Sequence, residues 1–86
     1  MPYDLPLPKS LKQWKVKALD RELRYEEPHI TIRHKRTHWR WGLRSRDFLD
    51  IWPDPRRVSA AVLDEIRRNY NELVAEWNRR FPNNPV

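Results

Sequence analysis

Between His29 and Arg44 the chain changes character at nearly every residue, and that alternation decides most of what it can fold into. Ile30 and Ile32 fall on one parity, with Thr31 and Arg33 on the other. Trp39, Trp41 and Leu43 repeat the pattern against Arg40, Gly42 and Arg44. A period of two marks a half-buried strand, so two such runs in succession predict a β-hairpin. Both apolar rows share a face only if paired residue numbers have an odd sum, because a one-residue slip turns every side chain over. The register 34–39, 32–41, 30–43 meets that condition and leaves Lys35-Arg36-Thr37-His38 as a four-residue loop. Ile32 then faces Trp41, Ile30 faces Leu43, and Arg33 faces Arg40.

The flanks extend the picture. Pro2, Pro6 and Pro8 lock φ and remove amide donors, so residues 1–11 are expected as an extended, proline-rich arm outside the main domain. Trp14, Val16 and Ala18 alternate with Lys15 and Lys17, which predicts another strand. Asp20 to Glu27 is charged and aperiodic and reads as a loop. Ser45 to Trp52 has no decisive period and is either a short helix capped by Ser45 or a fourth strand. Pro53-Asp54-Pro55 ends it, since the residue before a proline is pushed out of helical space.

Ser59 is a good N-cap for the long segment after it. Val62, Ile66, Tyr70, Leu73, Trp77 and Phe81 recur at spacings of three and four, which predicts one helix of about 22 residues ending at Pro82. Asp64 with Arg68 and Glu76 with Arg80 are acid-before-base pairs at a spacing of four. The expected fold is α+β: residues 12–86 form a small antiparallel sheet of three to four strands with one long C-terminal helix packed on one face. Trp14, Trp39, Trp41 and Trp77 are expected in its core rather than as platforms for stacked bases.

With 86 residues there is one core and no room for a second. The absence of cysteine excludes disulfides, a thiolate metal site and a cysteine nucleophile. A single glycine excludes glycine-rich phosphate loops. No apolar run reaches membrane-spanning length and no secretory leader is expected, so the reading is a cytoplasmic protein. No cofactor or metal is called for.

The formal charge of +6 is concentrated. Residues 9–46 carry twelve Lys or Arg against four acids, whereas residues 47–86 carry six against seven. Strand parity forces Lys15, Lys17, Arg33, Arg40 and Arg44 outward, with Lys35 and Arg36 in the hairpin loop. These seven are the expected nucleic-acid contacts, because clustered cations on one face attract a polyanion. His29, His34 and His38 lie in the same region. Paired imidazoles beside an arginine are what metal-independent RNA cleavage uses: one takes the 2′-hydroxyl proton, one protonates the leaving oxygen, and the arginine holds the phosphate. The candidate catalytic set is His29, Arg33, His38 and Glu27, with His34 expected to cap the end of the core.

Glu27-Pro28-His29-Ile30-Thr31-Ile32 resembles the Pro-His-Val-His-Val strand of a family of short bacterial proteins known as a domain of unknown function. Asn69…Leu73…Glu76-Trp77-Asn78 resembles that family's terminal helix, so the similarity covers residues 25–80. Its members are suspected toxins of toxin–antitoxin pairs. The resemblance therefore implies the toxin of a toxin–antitoxin pair, with a small antitoxin protein as partner. Together with the basic face and the histidines, the leading expectation is a toxin acting on RNA or the ribosome, with metal-independent endoribonuclease activity as one mode of action. The family's second histidine falls at Thr31, so only Pro28 and His29 carry over. Two other functions fit the charge: a non-catalytic nucleic-acid-binding module, and an inhibitor from a phage or plasmid that docks its basic face on an acidic protein.

Overall fold

The alternating segments pair as antiparallel strands, β3 (His29–His34) and β4 (Thr37–Gly42), in a register two residues tighter than expected. His34 pairs with Thr37, Ile32 with Trp39 and Ile30 with Trp41, so the loop is Lys35-Arg36 alone. The sum of paired numbers stays odd, and both apolar rows therefore still share a face. What changes is who meets whom: Arg33 lies opposite His38, and Arg40 lies opposite Thr31. The tighter turn forms because Lys35 enters the left-handed region, with φ 55°. Both favoured two-residue hairpin turns need a positive φ at that first loop position. No glycine or asparagine advertises the turn, so sequence pattern alone favours the longer loop. The left-handed conformation costs a lysine about 1–2 kcal/mol, offset by the extra ladder pairs.

The computed structural model describes residues 3–19 and 26–86, so most of the expected loop at Asp20–Glu27 lies outside the described residues. β2 (Trp14–Ala18) joins β3 with Val16 against Ile32. The fourth strand comes from the proline-rich arm: β1 (Tyr3–Asp4) pairs with β2, giving the order β1-β2-β3-β4. The arm is thus an edge of the sheet. Leu5 donates its amide to the Val16 carbonyl at 2.9 Å and is buried, and Leu11 is buried after a single 3-10 turn at Lys9–Leu11.

Ser45–Trp52 forms neither a helix nor a full strand. The chain reverses after β4, with the Gly42 amide donating to the Asp47 carbonyl at 2.8 Å and the Leu49 amide to the Arg40 carbonyl at 3.0 Å. A single bridge links Trp41 to Phe48. This close return explains the one glycine. A β-carbon at Gly42 would sit 2.5 Å from Ser45 Oγ and 2.8 Å from Leu49 Cδ2. Gly42→Ala is therefore expected to cost about 1–3 kcal/mol of stability through overpacking. Urea unfolding measures it, and an unchanged midpoint would mean that the turn yields freely.

Ser59 caps the helical segment as expected, its Oγ accepting from the Ala61 amide at 3.2 Å. The expected single helix is instead two, α1 (Ala60–Arg68) and α2 (Tyr70–Arg80). Asn69 separates them with φ −107° and ψ 21°, and its Nδ2 donates to the Glu65 carbonyl at 2.8 Å. An asparagine side chain that bonds the preceding turn competes with helical geometry. The apolar stripe survives the break: Val62, Ile66, Leu73 and Trp77 are fully buried with Val16, Ile30, Ile32 and Leu43. Glu76 pairs with Arg80 as expected and also with Arg79. Asp64 pairs with Arg67, and Arg68 with Glu65, in place of Asp64 with Arg68. The fold is α+β, an antiparallel sheet with its inward row packed on the helical stripe. No helix among the described residues is long and apolar enough to cross a membrane.

Two ties lock the helices to the sheet. The Tyr70 hydroxyl donates to the Leu43 carbonyl at 2.5 Å, and the Tyr3 hydroxyl donates to Glu72 Oε1 at 2.6 Å. Burial and the neighbouring Glu72 carboxylate push the Tyr3 phenol from its ordinary 10.0 up to about 12. The neutral form is thus the one the fold favours. Its stabilising effect is complete below pH 10 and is lost as the pH rises towards 12. Ultraviolet titration should show a tyrosine ionising late that is missing in Tyr3→Phe. A Tyr3 that ionises at its ordinary value would contradict the contact.

Candidate nucleic-acid interface

The outward face of the sheet consists of two cross-strand rows with different electrostatics. One runs Asp4, Lys17, Thr31, Arg40 across all four strands. It neutralises itself at both ends. Lys17 Nζ lies 3.4 Å from Asp4, and Arg40 grips Asp50 through Nε at 2.9 Å and a terminal nitrogen at 2.7 Å. The Arg40 hydrogen bonds hold the Asp50 carboxyl below its ordinary range, against the opposing effect of burial.

The other row runs Lys15, Arg33, His38 across β2, β3 and β4, and the hairpin loop adds Lys35 and Arg36. Arg33 Nε donates to the Lys35 carbonyl at 3.2 Å, which props the guanidinium at the loop. All five side chains are exposed. Among the described residues, no acid pairs with Lys15, Arg33, Lys35 or Arg36. Lys15 and Arg33 are directly opposite each other, an arrangement that costs up to about 1 kcal/mol. An anion placed between them relieves that cost.

Of the seven cations expected at the interface, four stand together and open: Lys15, Arg33, Lys35 and Arg36. Lys17 and Arg40 are in the neutralised row. Arg44 turns to the C-terminal segment, donating to the Pro85 carbonyl at 2.5 Å. Asp4 and Asp50 make this division, a role that sequence reasoning misses. Neither residue lies in a periodic segment that would place it on the face.

The candidate catalytic residues are split. Arg33 and His38 are cross-strand neighbours, but His29 pairs with Gly42 at the opposite end of β3. Four residue steps along the strand separate it from Arg33, about 13 Å. His29 is only 2% exposed, and its Nδ1 lies 2.8 Å from the Glu27 carbonyl; that oxygen only accepts, so Nδ1 donates. Glu27 is exposed and precedes the start of β3, two residues before His29. His34 stacks on Trp14 with ring centroids 4.2 Å apart, and Trp14 in turn on Trp39 at 5.9 Å, so it closes the end of the core as expected. One phosphate at Arg33 thus has one imidazole beside it, that of His38.

The residues that carry the family resemblance meet in space. The His29 ring lies 5.5 Å from the Trp77 ring, and the buried Pro28 accepts from the Leu43 amide through its carbonyl at 2.9 Å. Trp77 Nε1 donates to the Asn84 carbonyl at 2.7 Å, and Asn84 Nδ2 donates to the Glu26 carbonyl at 2.6 Å. Asn78 Oδ1 accepts from the Val86 amide at 2.8 Å. Pro28, His29, Trp77 and Asn78 thereby fasten α2 and the C-terminal segment to the start of β3, a packing role. Comparison with protein-family models, with curated proteins and with solved structures finds no match.

Proposed function

We propose that this protein binds RNA through the phosphate backbone, held on the outward face by Lys15, Arg33, Lys35 and Arg36. The observation that carries the reading is the division of that face: one cationic row is neutralised from within, and the other is left open beside the loop cations. Arginine forks hold phosphate oxygens in two parallel bonds, and lysines add point charge. His38, opposite Arg33, adds an imidazole N–H donor.

Binding without cleavage is the better supported activity, because the two imidazoles proposed for proton transfer, His29 and His38, lie towards opposite ends of the β3–β4 hairpin. The family resemblance adds a setting in which such binding, directed at RNA or the ribosome, slows growth and a small antitoxin protein relieves it. Anisotropy titration of a short fluorescent RNA at low salt tests the binding. Saturable binding that weakens in Arg33→Gln is expected, and a wild-type chain that leaves the RNA free would end the reading.

A further inference from the structure

Ile51 and Trp52 are 93% and 77% exposed. The other four tryptophans are buried or half-buried. A chain this small has few large apolar side chains to spare, so an adjacent pair left in water is informative. Their place in the fold is fixed on both sides. Asp50 is gripped by Arg40 on the outward face, while the Asp54 carbonyl accepts from Nε1 of Trp39, a residue of inward parity, at 3.2 Å. Residues 51–53 therefore pass round the outer side of β4, beyond the Phe48 and Leu49 contacts on its edge, and carry Trp52 along the margin of the cationic face. Upstream the Leu49 amide anchors the loop to Arg40, and downstream Asp54 caps the turn at Pro55–Arg57 by accepting from the Arg56 amide at 2.9 Å. Arg57 stands exposed beside it, while the exposed Arg56 pairs with the Asp54 carboxylate at 3.0 Å.

We propose that Trp52 is a stacking platform for an unpaired base, which makes the RNA-binding face selective for single strands. The inference rests on the RNA-binding reading above. His38 and Arg40 are two residues apart on β4, about 7 Å, so the open cations and the loop that carries Trp52 lie close enough for one strand to engage both. An aromatic ring on a cationic margin is how single strands are held without sequence preference, since every base has a face to stack. In a duplex those faces are already covered by neighbouring bases. The surroundings also favour this occupant over a protein, because the exposed apolar pair is only two side chains, Ile51 and Trp52, with Arg57 beyond it, and a protein hot spot sits inside a broader sealed patch.

The test compares wild type, Trp52→Ala and Trp52→Phe for binding to oligouridine and to an RNA duplex of equal length. Trp52→Ala should weaken oligouridine binding about 5- to 150-fold and leave duplex binding and the salt dependence unchanged. Trp52→Phe should recover most of the loss. Indole emission should be quenched by oligouridine in the wild type and much less in Trp52→Ala. Equal oligouridine affinity for wild type and Trp52→Ala would overturn the inference while leaving phosphate binding intact. A loss equal for single strand and duplex would overturn it too. Failure of the wild type to bind either RNA would overturn both readings together.

Discussion

Trp77→Ala is expected to lower the unfolding free energy by about 3–5 kcal/mol, a large share of the roughly 5–15 kcal/mol typical of small domains. The side chain is fully buried, with the Phe81 ring centroid 4.2 Å away on one side and His29 at 5.5 Å on another. Its removal leaves a cavity at the meeting point of α2, β3 and the C-terminal segment. It also deletes the Nε1 bond to Asn84, the residue whose side chain bonds the Glu26 carbonyl ahead of β3. Trp77→Phe keeps much of the volume and loses only that donor, so it should cost less. Urea unfolding followed by circular dichroism separates the two. A loss below about 1 kcal/mol for Trp77→Ala would contradict the packing described, because no buried tryptophan in a close-packed core is truncated so cheaply.

The second large effect is on binding. Replacing both Lys15 and Arg33 by glutamine removes two adjacent charges and should weaken RNA binding by at least about 100-fold, since hydrogen bonds to charged groups contribute about 1.5–3 kcal/mol each. Both side chains are exposed and lack acidic partners among the described residues, so the fold should tolerate their neutralisation. Lys17→Gln is the control: Lys17 lies on the same face but against Asp4 at 3.4 Å, and the affinity should stay within about threefold. Equal losses in the two variants would mean that net charge, and not this row, attracts the ligand.

The parts of this structure legible in the sequence are those governed by a period. Alternation assigns Ile30, Ile32, Trp39 and Trp41 to the core, and helical spacing assigns Val62, Ile66, Leu73 and Trp77. Parity also survives a two-residue error in the hairpin register, because an even shift keeps every side chain on its face. What the sequence hides depends on single local events. A lysine in the left-handed region shortens the loop and thereby changes the partner of Arg33 from Arg40 to His38. An asparagine side chain splits the helix. Two isolated aspartates, Asp4 and Asp50, divide a cationic face that parity alone makes uniform. The histidines cluster in sequence, but a strand spreads its residues along about 3.3 Å each, and the cluster comes apart in space.

The salt dependence of RNA affinity tests the central claim most directly. Each phosphate neutralised on a single strand contributes a slope of about −0.7 in log affinity against log salt. The four open cations therefore predict a slope of about −3 for the wild type. In Arg33→Gln the slope should become shallower by about 0.7, and in Lys17→Gln it should not change. A wild-type affinity that is flat with salt, or a slope insensitive to Arg33, would contradict phosphate binding by this row.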